Sequence, residues 1–141
     1  MIIMSVDRGK ARTGIAYSDE SESFAFPSSV ITEYNQERLA GKICEEAKKL
    51  KAQLIVVGLP KRTDGSLGDS AQECIALAEK LRELTGINVE MYDERFTTVS
   101  AHTALNATNT RGKKRKAVID AVAATMILED YLAYRKSKPS P

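Results

Sequence analysis

Apolar and polar positions along the chain switch between a period of two and a period near 3.6, and the switches outline nine elements. Ile2-Ile3-Met4-Ser5-Val6 is an apolar run closed by Asp7 and the glycine-bearing turn Arg8-Gly9-Lys10-Ala11-Arg12, which reads as a buried strand. Residues 13–18 and 23–31 follow as two more strands, joined by the polar connection 19–22, and Pro27 marks the third as an edge strand. Leu39, Ile43, Ala47 and Leu50 then recur at helical spacing behind Asn35, a good N-cap. Gln53–Gly58 is a β-branched run directly after that helix, so the chain is expected to cross back into the sheet in parallel.

A glycine-rich loop, residues 59–68, leads to a second helix from Asp69 to Leu84. It is predicted to bury Ala71, Cys74 or Ile75, Ala78 and Leu81, and to end at Thr85-Gly86. Residues 87–92 form a fifth strand that runs into Asp93-Glu94-Arg95. A short helix over 97–106, capped by Thr97 or Thr98, and a polar segment over 107–116 precede the final helix, Lys114 to Tyr134. Val118, Val122, Met126 and Tyr131 are its predicted buried stripe. The order β-β-β-α-β-α-β-α-α predicts an α/β fold, an antiparallel meander continuing into parallel strands, with helices flanking one five-stranded mixed sheet. Residues 1–135 make one domain and 136–141 a disordered tail.

Composition narrows the chemistry. No apolar stretch approaches the roughly 20 residues of a membrane span, and no basic segment precedes the first strand, so neither a membrane partner nor a signal peptide is expected. Cys44 and Cys74 both fall on apolar helical positions and read as buried reduced thiols of a cytoplasmic protein. With one histidine, His102, and no clustered cysteines, zinc has no ligand set, so any metal would be a hard, oxygen-liganded ion such as Mg²⁺ or Mn²⁺. Charge is uneven along the chain. Residues 1–94 carry 12 Lys/Arg and 16 Asp/Glu, a balance of −4, whereas residues 95–141 carry 9 and 3, a balance of +6. That asymmetry suggests a basic face for a polyanion. Without tryptophan and with few aromatics, a stacking platform for single strands is not evident.

The parallel strands one, four and five would bring their carboxyl ends to one sheet edge, where α/β sites are built. That edge collects Asp7, the pair Asp93-Glu94 and the basic residues Arg12, Lys61, Arg62 and Arg95. A turn-capping role bonding amides at Gly9 is open to Asp7 alone, but it does not explain acids recurring at a second strand end. Asp120 lies near the start of the last helix beside Ala121, Ala123 and Ala124, small residues that let a helix approach a sheet closely. Three crowded carboxylates repel unless a divalent cation neutralises them, which predicts a metal site for phosphodiester hydrolysis. The run Arg111-Gly-Lys113-Lys114-Arg-Lys116, just before Asp120, suits a phosphate backbone.

Four segments in register resemble the signatures of the YqgF/RuvX family: Asp7–Ala16, Gly58-Leu59-Pro60, Asp93–Thr98 and Lys114–Ala124. These are small bacterial RNase H-like nucleases, also described as Holliday junction resolvases. The resemblance implies an RNase H-like sheet of order 3-2-1-4-5, cytoplasmic location, divalent-metal-dependent cleavage and a role in maturing the 5′ end of pre-16S rRNA. It implies Asp7, an acid of the Asp93-Glu94 pair and Asp120 as catalytic, metal-binding residues. Glu94 is favoured for its reach, with Asp93 the alternative. One departure from the wider RNase H-like pattern stands out: the acid usually ending strand four is replaced by Gly58-Leu59-Pro60, so its substitute starts on the order of 10 Å from strand one. The rival readings are a resolvase of branched DNA, which would need a symmetric dimer, and a non-catalytic rRNA-binding assembly factor. A monomer or weak homodimer is expected.

Overall fold

The computed structural model describes residues 1–9, 11–59, 68–93 and 112–137. Within them five strands and three helices are set: β1 (Ile3–Arg8), β2 (Arg12–Ser18), β3 (Ala25–Thr32), α1 (Gln36–Leu50), β4 (Leu54–Leu59), α2 (Asp69–Thr85), β5 (Asn88–Asp93) and α3 (Gly112–Ser137). The expected helix over 97–106 lies outside the described residues, as do residues 138–141 of the expected tail.

The sheet has the order β3-β2-β1-β4-β5. β1–β2 and β2–β3 are antiparallel, while β1–β4 and β4–β5 are parallel, the mixed sheet expected from the element order. Gly9 closes the β1–β2 turn by donating its N–H to the Arg12 carbonyl at 2.9 Å, and an added Cβ would stand 2.4 Å from that oxygen, so only glycine fits. Pro27 sits on the edge strand as predicted. There β3 carries one extra residue, with Ile15 opposite Ser29 but Ala16 opposite Pro27, a bulge that blunts the open edge.

Two cores lie on opposite faces of the sheet. On one, α1 and α2 pack over Met4, Val6, Ile15, Ile55, Val57 and Val89. Asn35 caps α1 by accepting the Arg38 N–H at 3.0 Å, and Gly86 ends α2 in the left-handed region at φ 69°. Between Cys74 and Ile75, it is Cys74 that is buried, and Leu77, absent from the predicted stripe, is buried with it. On the other face α3 crosses β1, β2 and β3 and covers Ile3, Ala16, Leu54 and Val56.

The stripe of α3 differs from the predicted one. Ala123, Ala124, Ile127, Leu128, Tyr131 and Leu132 are buried, while Val122 and Met126 are only half-buried; Val118 lies outside the residues whose side chains are described. This helix has apolar side chains around most of its circumference, so periodicity alone does not choose a face. The alanines decide it, because they let the backbone come down onto the sheet.

Candidate active site at the carboxyl edge of the sheet

Strand alternation sorts the residues of this edge by face. In β1, Met4 and Val6 belong to the α1/α2 core and Ile3 to the α3 core, so Ser5 and Asp7 share the face that α3 covers. Ser5 verifies the assignment: fully buried, it donates its hydroxyl to the Ala124 carbonyl at 2.7 Å. A polar residue inside an otherwise apolar strand must find a partner when buried. The sequence therefore contained a signal for the docking point of α3, although the partner itself was not legible.

The direction of α3 follows from two contacts. Ala124 meets Ser5 in mid-strand, while Arg135 and the Met1 ammonium share Glu22 at the amino end of β1, at 2.8 and 3.3 Å. The helix thus runs antiparallel to β1. Asp120, one turn before Ala124, is displaced about 6 Å along α3 towards the carboxyl edge. Asp7, two residues beyond Ser5, is displaced by about the same distance along β1. Both positions are thus displaced in the same direction, towards the carboxyl edge. Lys113, Lys114 and Lys116 belong to the first turns of α3, farther along the same direction.

Asp7 is half-buried and engaged by neighbouring groups. Across the sheet it faces Gly14 of β2, and one step beyond the Val6–Val57 pair Gly58 of β4 flanks it on the other side. Gly58 in turn pairs with Tyr92 of β5. Arg12, two residues from Gly14, shares the α3 face by the same alternation and is half-buried. Arg8 has the opposite parity. Its Nε donates to Gln36 Oε1 at 2.9 Å and its guanidinium pairs with Glu73 at 2.8 Å, while Gln36 donates to the Glu73 carbonyl at 2.8 Å. Those contacts tie the end of β1 to the first turns of α1 and α2, a role the sequence did not reveal.

Asp93 is the last residue of β5, and its position has the parity of Val89 and Met91, which pack on the α1/α2 core. Glu94, Lys61, Arg62, Arg95 and Arg111 lie outside the described residues. Among the described residues no group of three or more His, Cys, Asp or Glu side chains is gathered as a metal site. No helix among them is long and apolar enough to cross a membrane.

A five-stranded sheet of this order, with helices on both faces and a strand-end carboxylate under the last helix, defines an RNase H-like protein. The solved structures it resembles bear out the fold. RuvC of Thermus thermophilus in complex with Holliday junction substrate aligns with a TM-score of 0.63 at 14% identity, over 99% of each chain. The Fowlpox virus resolvase with its substrate Holliday junction DNA aligns at 0.61 and 10% identity, over 96% of this chain and 99% of the other.

Sequence places the chain more narrowly: it belongs to the RuvX (YqgF) family, whose model, described as Holliday junction resolvase, matches residues 1–134. A relative from Clostridium botulinum (strain Eklund 17B) is 38% identical over 135 residues, covering 94% of this chain and 96% of its own. One from Bacillus thuringiensis (strain Al Hakam) is 39% identical over 135 residues, covering 94% and 98%. Both bear the name "putative pre-16S rRNA nuclease".

Proposed function

We propose that this chain is a divalent-metal-dependent endonuclease that trims the 5′ end of pre-16S rRNA in the cytoplasm, with Asp7, Glu94 and Asp120 as its catalytic carboxylates. The observation that carries this reading is the antiparallel passage of α3 over β1, pinned by Ser5 and Ala124, which supports a shared edge for Asp120 and Asp7. Glu94 is favoured over Asp93 because the Asp93 position has the parity of Val89 and Met91, which pack on the opposite face. The names of the relatives support the RNA substrate.

The donor set fits a hard cation. It offers carboxylate oxygens and no described histidine or thiol at this edge. Asp7, Glu94 and Asp120 would hold Mg²⁺ or Mn²⁺, which supplies water activation and charge neutralisation at a phosphodiester. Arg12 lies on the face where the backbone must approach and meets its phosphates. Lys113, Lys114 and Lys116, with Lys61, Arg62, Arg95 and Arg111, give the substrate a cationic margin whose binding weakens with salt.

The test is cleavage of 5′-extended 16S precursor RNA, and of four-way DNA junctions, with Mn²⁺ or Mg²⁺ present or removed by chelation. Wild type should cut the RNA, and Asp7→Asn should lose at least about a hundredfold in rate while still binding it. Equal rates in the two proteins would sink the catalytic assignment. The description of the family model favours one second reading, junction resolution by a homodimer. Cleavage of the junction but not of the RNA would establish that reading instead.

A further inference from the structure

The described helices all end at the amino edge of the sheet, opposite Asp7, since α1 and α2 lead into the first residues of β4 and β5. Each carries basic residues in its last turn: Lys48 and Lys49 in α1, Arg82 in α2, Arg135 and Lys136 in α3. Cations there complement the helix dipole, but two of them turn away from their own helices. Arg82 donates through Nε and Nη2 to the Val89 carbonyl of β5, at 3.2 and 2.7 Å, and Arg135 reaches Glu22 at 2.8 Å. The two guanidiniums border an open cleft of about 530 Å³, lined also by Gln53, Asn88 and Glu90. A second cleft of about 460 Å³ takes in Glu20 and Lys51 and shares Met1 and Gln53 with the first. Together they form one groove across the ends of β5, β4 and β1, as far as the turn after β2.

The groove is accessible. Lys51, Gln53, Arg82 and Asn88 are exposed and Arg135 is half-buried. Arg82 and Lys51 have no carboxylate partner among the described residues, and the bonds to Val89 and Glu22 leave N–H groups of both guanidiniums available. Of the carboxylates in the lining, Glu90 accepts from the Tyr131 hydroxyl and Glu20 stands at the far end. Glu22 offsets the Arg135 charge, so the positive surplus rests on Arg82 and Lys51, with exposed Lys48 and Lys49 preceding Lys51 on α1. None of the described lining residues is aromatic. The groove therefore offers neither a platform for stacking bases nor the aromatic anchors typical of a protein interface. Planar guanidiniums, an ammonium and side-chain amides are donors suited to phosphate oxygens.

We propose that this amino-edge groove is a second contact for the RNA substrate, holding its phosphate backbone without reading sequence. Its floor begins at Ile2, five residues or about 17 Å along β1 from Asp7. Three strand spacings from β5 to β2 make it roughly 14 Å long. Phosphates recur about every 3.4 Å along the axis of a helical strand, so several can meet it. Only an RNA that continues well beyond the scissile bond reaches both edges, and the groove therefore favours long, structured substrates. This deepens the nuclease reading and rests on its RNA substrate.

The experiment uses the full chain carrying Asp7→Asn, so that binding is read without cleavage, and 5′-extended 16S precursor RNA as the probe. Lys51→Gly suits the left-handed backbone at that position, φ 60°, and Arg82→Gln keeps an amide donor. The double variant should bind about tenfold more weakly at about 0.1 M salt, and its salt slope should fall by about two. Lys42→Gln with Lys80→Gln removes two charges outside the groove and should bind as the parent does. Melting curves show which variants are folded. If Arg82→Gln is not, Lys48→Gln, Lys49→Gln and Lys51→Gly in combination, all at exposed positions, carry the same test. An unchanged salt slope, or an equal loss in the control pair, would overturn the proposal. So would poly-L-glutamate that binds as tightly as the RNA and is lost in the same variant, which would give the groove to an acidic protein segment. Failure of the nuclease reading is separate, since it appears as equal cleavage by wild type and Asp7→Asn.

Discussion

At the amino edge of the sheet, carboxylates are answered by near neighbours. Glu22 accepts from Arg135 at 2.8 Å and from the Met1 ammonium at 3.3 Å. Burial raises the affinity of Glu22 for a proton, but these two cations outweigh it and hold the carboxyl below its usual range. Asp19 is served within its own turn by the Ser21 hydroxyl and by the backbone N–H groups of Ser23 and Phe24, both at 2.9 Å. At the carboxyl edge the setting is different, although Asp7 too is engaged by neighbouring groups. Asp7 lies between two glycines under the incoming end of α3, and the neighbouring cation, Arg8, is turned to the far face and bound to Gln36 and Glu73. The same residue types therefore sit in turns and ion pairs at one end and, at the other, on the face that α3 covers, where the proposed site lies. What separates the two is which face each side chain occupies and what the adjacent backbone offers it.

Breaking the clamp behind Asp7 should have the largest effect on stability. The Arg8 side chain is 9% exposed and Glu73 54% exposed, so the half-exposed ion pair contributes little and the charge-assisted bond to Gln36 contributes most. Arg8→Met keeps the aliphatic stem packed and should cost about 2 kcal/mol, roughly 6 °C in Tm. It should also lower cleavage more than substrate binding, because it frees the end of β1 on which Asp7 sits. A variant that melts and cuts like wild type would show that Arg8 has no part in positioning.

Ser5→Ala is the milder version on the other face. It removes the hydroxyl that meets the Ala124 carbonyl but leaves the alanine contacts of α3, so the expected loss is about 1 kcal/mol, or roughly 3 °C. Calorimetric melting of the variant beside wild type checks it. An unchanged Tm would mean that the apolar stripe alone fixes the position of α3.

Much of this division was legible in the residues, and the illegible part has physical causes. Periodicity and turn chemistry gave the sheet: Asn35 and Gly86 cap as expected, and Pro27 marks the edge strand. Asp7 at the end of β1 followed from an apolar run closed by a turn. The face of α3 did not, because a helix that is apolar around most of its circumference presents several equivalent stripes until a partner is specified. The glycines beside Asp7 were hidden for a related reason: Gly14 and Gly58 are 44 positions apart and meet Asp7 only through pairing register. The groove at the amino edge likewise forms only once the ends of α1, α2 and α3 are set on the sheet. Arg8 reads as a turn residue until the first turns of two helices are set behind it.

The smallest expected effect tests the amino edge, and it depends on pH. Hydrogen bonds from Ser21 first, then from the Phe24 and Ser23 amides, lower the Asp19 pKa from 3.8 to about 2. A carboxyl with a depressed folded-state pKa adds stability that is fully present above its unfolded value and is lost as pH falls through the folded one. The contribution of Asp19 should therefore be complete above about pH 4 and decline towards pH 2. Because Asp19 lies in a surface turn, screening keeps that contribution small. Asp19→Asn retains an amide oxygen for the two backbone donors, so the comparison isolates the charge. Denaturant unfolding of both proteins at intervals from about pH 7 downwards should show the variant slightly less stable at neutral pH and the gap narrowing below about pH 4. A gap that is constant with pH would mean that the turn uses the oxygen and not the charge, and the contrast with Asp7 would then rest on geometry alone.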